Sequence, residues 1–167
     1  MTKVLLSLGA NLGNPMEEFR KVFRRIRRMD PRASMSNLYR TEPIDVLDQP
    51  DYFNIAIRFE TETSAEDLMT TFLTWEKHSG RLRVPGIIRA PRKLDIDIVL
   101  YGETNLMTEH LTVPHPRFRQ RRFVLEPAAE IAPDMTDPVT GRTISELLRA
   151  CADSSRVERF LGESSLV

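Results

Sequence analysis

Asp95 and Asp97 stand two residues apart in the run Leu94-Asp95-Ile96-Asp97-Ile98-Val99-Leu100-Tyr101-Gly102, directly after the basic loop Arg89-Ala90-Pro91-Arg92-Lys93. The run is rich in β-branched residues and stops at a glycine, which predicts a strand. Strand side chains alternate between faces, so Leu94, Ile96, Ile98 and Leu100 are expected on one face. The two aspartates then lie side by side on the other. Two like charges about 6 Å apart repel by about 3 kcal/mol at an effective dielectric near 20. Positive charge must offset that cost, and Arg92 and Lys93 or a divalent cation can supply it. Mg²⁺ suits such a face, because it takes one or two carboxylates and completes its shell with water and phosphate oxygens. An edge strand whose outer face happens to carry two aspartates would show the same pattern. The surrounding residues have to decide.

Arginine is the second chemical signal. Lys3, Lys21, Lys77 and Lys93 are the only lysines among 24 basic residues. The guanidinium is a rigid planar fork that matches carboxylate and phosphate. Arg81, Arg83, Arg89 and Arg92 sit on one proline- and glycine-containing loop that runs into the aspartates, so they can fold over a phosphate held there. Tyr52 and Asn54 add a polar-aromatic patch at the head of another strand. Phosphoryl-type transfer needs this combination: charge neutralised by metal and guanidinium, with positioning supplying most of the rest.

The elements that must hold these groups follow from pattern. Val4-Leu5-Leu6-Ser7-Leu8 reads as a buried strand. Gly9-Ala10-Asn11-Leu12-Gly13-Asn14-Pro15 is neither a dinucleotide fingerprint nor a phosphate loop. It predicts a helix start, with Asn14 as cap, Pro15 at the first position and Glu17 in the first turn. That helix is expected to reach about Met29, burying Phe19, Val22, Phe23, Ile26 and Met29. Its opposite face carries Arg20, Lys21, Arg24, Arg25, Arg27 and Arg28, a solvated face or a nucleic-acid stripe. Strands are expected at 36–41 and 52–60, paired antiparallel around a long acidic, proline-containing loop. Loops of that length are functional or disordered. A second helix follows the Ser64 cap, with Leu68, Phe72 and Trp75 inward and Gly80 after its end. Thr112-Val113-Pro114-His115-Pro116-Arg117 is too proline-rich for a helix, and a last helix starts near Thr143.

Strand, helix, strand, strand, helix, strand predicts an α+β fold, a ferredoxin-like α/β sandwich with a mainly antiparallel sheet and helices on its faces. At 167 residues the chain is expected to form a single domain, 1–167. No apolar run approaches the roughly 18 residues of a membrane span, and the N-terminus is too short and polar for a signal peptide. The lone Cys151 forms no internal disulfide and fits a reducing cytoplasm. His78, His110 and His115 lack zinc-type spacing.

Several motifs, in order, resemble the 6-hydroxymethyl-7,8-dihydropterin pyrophosphokinases of folate biosynthesis. They are Gly9-Ala10-Asn11-Leu12-Gly13-Asn14, Tyr39-Arg40-Thr41, Gln49-Pro50-Asp51-Tyr52-Phe53-Asn54 and Gly80-Arg81-Leu82-Arg83. Pro91-Arg92-Lys93-Leu94-Asp95-Ile96-Asp97-Ile98 and Leu111-Thr112-Val113-Pro114-His115-Pro116-Arg117 are the most specific, and Arg121-Arg122-Phe123-Val124-Leu125 and Glu130-Ile131-Ala132-Pro133 complete the set. The resemblance implies that a pterin hydroxymethyl oxygen attacks the β-phosphorus of ATP and releases AMP. It implies that Asp95 and Asp97 hold two Mg²⁺ ions, that Arg83 and Arg92 are catalytic, and that Arg81, Ile98, Thr112, His115 and Arg121 bind ATP. Thr41, Pro43, Ile44, Tyr52, Asn54 and Phe123 would line the pterin slot. Arg89 is a departure, since the family often has an aromatic residue there. No nucleic acid, membrane or obligatory protein partner is implied.

Two rival readings fit parts of the sequence. An aspartyl phosphatase could show Asp-x-Asp after a strand. It would want a hydroxyl soon after the second aspartate, where this chain has Val99-Leu100, and a parallel sheet. An arginine-rich nucleic-acid module would bind with steep salt dependence, but it leaves the aspartate pair without a purpose.

Overall fold

The computed structural model describes residues 1–41, 51–79 and 94–160. The first strand, β1, is Thr2–Ala10. It buries Val4, Leu6 and Leu8 on one face and Leu5 on the other, so its apolar run need not alternate. Helix α1, Pro15–Met29, starts where capping chemistry places it: the Asn14 side chain accepts the Glu17 N–H at 3.2 Å, and Pro15 leads the first turn. Phe19, Val22, Phe23 and Ile26 are buried, while Met29, expected inside, is 38% exposed at the C-terminal end of the stripe.

Strands β2 (Ser34–Met35), β3 (Tyr39–Thr41) and β4 (Tyr52–Thr61) follow. The strand expected over 36–41 is therefore shorter. At Ser36 the hydroxyl donates to the Asn37 carbonyl and accepts the Ala56 N–H at 2.9 Å. A side chain thus takes over a backbone ladder position, and regular pairing breaks until Tyr39.

Helix α2, Ala65–His78, begins at Ser64, whose hydroxyl accepts the Asp67 N–H. It is followed by β5 (Asp95–Tyr101), the short ribbon β6 (Leu106–Met107) with β7 (Thr112–Val113), and a 3-10 turn at Phe118–Gln120. Helices α3 (Arg122–Ile131) and α4 (Ile144–Ala150) and strand β8 (Val157–Arg159) complete the described chain. Thr143 caps α4 in a full capping box with Glu146.

The main sheet runs β5-β1-β4-β3-β8, with β2 also on β4. Its pairings are all antiparallel, which removes the parallel sheet that the phosphatase rival required. Placing β5 beside β1 and β4 between β1 and β3 is the strand order of a ferredoxin-like sandwich. One face packs on α1 and α2, around Phe19, Ile26, Leu68 and Phe72. The other packs on α3 and α4, around Leu5, Leu125 and Leu147.

Two features of β5 and α3 depart from the sequence pattern. Pairing with β1 slips between Leu5 and Leu6, so Leu6 faces Ile98 while Leu5 faces Leu100. This bulge at Val99 turns Leu100 into the second core, away from Leu94, Ile96 and Ile98. Helix α3 is not signalled by its sequence. Arg121 makes no side-chain cap bond, and Pro127 sits inside the helix, where it removes a ladder N–H.

Candidate active site

Register alone gathers most of the site. Antiparallel pairing aligns Tyr39 with Asn54, Asn54 with Gly9, and Gly9 with Asp95 in one row across four strands. The next row carries Ala56, Ser7 and Asp97, and Thr41 pairs with Tyr52 at the other end of β3. Residues directly opposite one another share a face. Thr41, Tyr52 and Asn54 therefore lie on the same sheet face as Asp95 and Asp97. The residues between them, Gly9 and Ser7, are small and keep the surface low.

Two atoms on this face are anomalous. Thr41 Oγ1 and Asn54 Oδ1 are buried and have no hydrogen-bond partner; they are the side-chain atoms so left among the described residues. Buried polar groups in native proteins are nearly always satisfied, and exceptions call for a reason such as a ligand. The Asn54 amide nitrogen donates to the Leu8 carbonyl at 3.4 Å, which aims the unpaired oxygen away from β1.

Around the aspartates the polar groups converge from β5 and the segment after β7. His115 Nε2 lies 4.0 Å from Asp97 Oδ2. Its Nδ1 accepts the Arg117 N–H at 3.1 Å, so a neutral ring carries its proton on Nε2, toward the carboxylate. The ring is neutral because burial lowers its pKa to about 4, with the charges of Arg121 and Arg117 acting in the same direction and Asp95 opposing. Asp95, Asp97, His115 and Arg121 thus share one electrostatic neighbourhood. Beside them a cavity of about 260 Å³ is lined by Asp97, Ile98, Thr112 and His115, and by Met69 from α2.

Supporting contacts hold this geometry. Glu76 of α2 is only 3% exposed, and its Oε2 accepts the Ile96 N–H at 2.9 Å, on the residue between the two aspartates. Glu130 fastens α3 to the strand layer, taking the Tyr39 hydroxyl at 2.7 Å and the Asn37 backbone and side-chain N–H groups. Burial, reinforced by Glu130, pushes the Tyr39 hydroxyl well above the usual phenol range. Arg119 in the 3-10 turn grips the sealed Asp137 carboxylate through two bonds of 2.6 and 2.9 Å. That grip fixes the turn just before Arg121, whose guanidinium lies 5.6 Å from the centre of the Phe123 ring. Phe123 itself is carried by α3, which packs across β4 on the site face.

Of the residues expected at the site, Asp95, Asp97, Ile98, Thr112, His115 and Arg121 come together, as do Thr41, Tyr52 and Asn54. Arg81, Arg83, Arg92, Pro43 and Ile44 lie outside the described residues, as does Arg89. Met69 and Glu76 were missed. Met69 flanks the buried stripe of α2 rather than lying in it. Glu76 could have been found, because a carboxylate at four residues from Phe72 occupies a core position.

The basic stripe of α1 is largely satisfied within the domain. Lys21 and Arg24 pair with Glu18 and Glu17, and Arg25 lies 5.2 Å over the Trp75 ring. Among the described residues no helix is long and apolar enough to cross a membrane.

A family model described as 7,8-dihydro-6-hydroxymethylpterin-pyrophosphokinase matches residues 5–133. A 2-amino-4-hydroxy-6-hydroxymethyldihydropteridine pyrophosphokinase of Pseudomonas aeruginosa is 36% identical over 162 residues, covering 96% of this chain and 98% of that one. The folic acid synthesis protein fol1 of Pneumocystis carinii is 35% identical over 154 residues, covering 90% of this chain. The chain spans 20% of that longer protein. Among solved structures, Plasmodium falciparum HPPK-DHPS superimposes with a TM-score of 0.66 at 13% identity, over 89% of this chain and 41% of that one. At that identity the likeness speaks for the fold.

Proposed function

The chain belongs to the 7,8-dihydro-6-hydroxymethylpterin-pyrophosphokinase family, and on that premise we propose that it transfers diphosphate from ATP to 6-hydroxymethyl-7,8-dihydropterin, a step of folate biosynthesis. The hydroxymethyl oxygen bonds to the β-phosphorus, the bond from that phosphorus to the α,β-bridging oxygen breaks, and AMP leaves while the hydroxyl proton is released. Residues 1–167 act as one catalytic domain.

One observation carries this reading beyond family likeness. The buried, unpaired Thr41 Oγ1 and Asn54 Oδ1 sit on the same sheet face as a pair of carboxylates, separated from them by Gly9 and Ser7. A flat heterocycle with edge donors and acceptors suits the first group, with the Tyr52 and Phe123 rings as apolar walls and Pro43 and Ile44 completing the slot. A cation with a polyphosphate suits the second.

The donor set fits Mg²⁺. Among the described residues no group of three or more His, Cys, Asp or Glu side chains is placed to hold a metal ion together. Two carboxylate ligands match an ion that keeps positions for water and substrate phosphates, whereas a fuller protein cage would suit calcium or zinc. Asp95 and Asp97 would hold two Mg²⁺ ions, which supply neutralisation of phosphate charge and a template for in-line displacement. His115, neutral and protonated on Nε2, donates toward a phosphate oxygen without adding charge. Arg121 adds charge at that site. Ile98, Thr112 and Met69 line the cavity that receives the adenosine part. Arg83 and Arg92, with Arg81, are the arginines assigned to neutralising the phosphates.

The test is to incubate the protein with ATP, Mg²⁺ and 6-hydroxymethyl-7,8-dihydropterin and identify the nucleotide product. AMP together with a pterin diphosphate is expected. ADP, or AMP formed without dependence on the pterin, would overturn the proposal.

A further inference from the structure

Gly9 is central to the site row, yet its backbone does not need glycine. The positive-φ glycines among the described residues are Gly13, Gly102 and Gly141, and Gly9 is not one of them. Glycine inside a strand weakens it and commonly marks a place where another group approaches closely. Here that group can be named. A Cβ built on Gly9 would stand 2.9 Å from Asn54 Nδ2 and 4.0 Å from Asn54 Cγ.

Asn54 has little room to retreat. It is 5% exposed, it pairs with Tyr39 on the far side, and its amide nitrogen donates to the carbonyl of Leu8, next to Gly9. Pushing the amide away from β1 would break that bond and re-aim the unpaired Oδ1. Gly9 also lies directly between Asn54 and Asp95 in register. Neighbouring strands are about 4.8 Å apart, so a bare path of about 10 Å joins the amide to the first carboxylate.

Resting on the pyrophosphokinase reading, we propose that Gly9 is a positioning residue. Its missing side chain fixes the Asn54 amide, and it leaves the floor over which the substrate's hydroxymethyl arm passes from Asn54 toward Asp95. Adding a methyl group at Gly9 tilts the amide and raises that floor, so pterin binding and turnover suffer while the nucleotide side does not.

Gly9→Ala, Asn54→Ala and the double variant, in the full chain, test this. Thermal unfolding and circular dichroism establish folding, and steady-state kinetics give KM for the pterin, KM for ATP and kcat. Gly9→Ala is expected to fold cooperatively, to raise the pterin KM at least tenfold, and to leave the ATP KM within twofold. In the Asn54→Ala background the same substitution should raise the pterin KM by clearly less than in the parent, because the amide it displaces is gone and only the raised floor remains. An unchanged pterin KM, an equal loss on the ATP side, an equal effect in both backgrounds, or a Gly9→Ala chain that does not fold would each overturn the inference. If the parent protein makes no pterin-dependent AMP, the functional reading fails instead. Parent turnover with an unaffected Gly9→Ala variant removes only the role of Gly9.

Discussion

Asp137→Asn removes one charge from a sealed position without changing side-chain volume. Asp137 is 0% exposed. Burial alone would raise its carboxyl pKa, but hydrogen bonds from Arg119, Thr140 and the Val139 N–H outweigh that and hold it at about 2 against an ordinary value of 3.8. At 1.36 kcal/mol for each pKa unit, the ionised carboxylate contributes about 2.4 kcal/mol of stability at neutral pH. The sign follows from a depressed folded-state pKa. The contribution is complete above the unfolded value, shrinks to about 1.3 kcal/mol by pH 3, and is lost as pH falls through the folded value. Breaking a buried pair costs about 3–5 kcal/mol when the partner charge is stranded. Arg119 keeps 21% of its side-chain exposure, so water relieves part of that cost and the lower figure applies. Urea unfolding at pH 7 should therefore show Asp137→Asn less stable by about 2–3 kcal/mol, with Tm lower by about 5–10 °C for a chain of this size. The gap between parent and variant should narrow by roughly half at pH 3. A variant within about 0.5 kcal/mol of the parent at pH 7, or a gap that stays constant down to pH 3, would refute the reasoning.

Three further outcomes are expected. Asp95→Ala and Asp97→Ala should each lower kcat by at least about a thousandfold while leaving unfolding cooperative, and Mg²⁺ should no longer raise the ATP-dependent Tm; near-normal turnover in both variants would remove the metal assignment. Asn54→Ala should raise the pterin KM by about 5- to 150-fold, the range of one buried hydrogen bond, with ATP binding measured by calorimetry unchanged. Glu76→Ala leaves the Ile96 N–H without its buried acceptor, so a loss of about 1–3 kcal/mol in urea unfolding is expected together with a higher Mg²⁺ requirement. Glu76→Gln, which keeps an acceptor oxygen, should recover most of the Mg²⁺ dependence, and equal defects in the two variants would count against the hydrogen bond.

Much of the fold was legible because its signals are local. Asn14, Ser64 and Thr143 announce their helices through side-chain oxygens that satisfy the next turn. The strand carrying the aspartates follows from two-residue alternation over Asp95 to Ile98. Failures occurred where tertiary contacts replaced local rules. Helix α3 has no cap side chain and contains Pro127, and packing over β4 holds it despite both. Ser36 keeps pairing through its hydroxyl, which no propensity scale records. Site residues were legible where chemistry and motif coincided, as at Asp95, Asp97 and His115. Met69 was not, because an apolar residue at the flank of a buried stripe looks like ordinary packing until the cavity beside it is seen.

The bulge at Val99 explains how one edge strand serves both structure and site. With strict alternation, Leu100 would follow Ile98 into the first core and Tyr101 would follow Val99 toward the second. The slip opposite Leu5 sends Val99 and Leu100 together into the second core beneath α3 and α4. It also turns Tyr101 toward the first core, where its hydroxyl reaches the Thr63 carbonyl at 2.6 Å. The same sheet face is thus apolar and covered at one end of β5, yet polar at Asp95 and Asp97. A bulge re-aims side chains at small local cost, and here it marks the border between the two halves. Glu76 completes the arrangement from the side. Among the described residues the outer edge of β5 has no strand neighbour, and the Glu76 carboxylate takes the Ile96 N–H between the aspartates. An open edge is normally a liability to be blocked. In this chain the blocking group also fixes the backbone that presents both carboxylates, so edge protection and site geometry are secured by one contact.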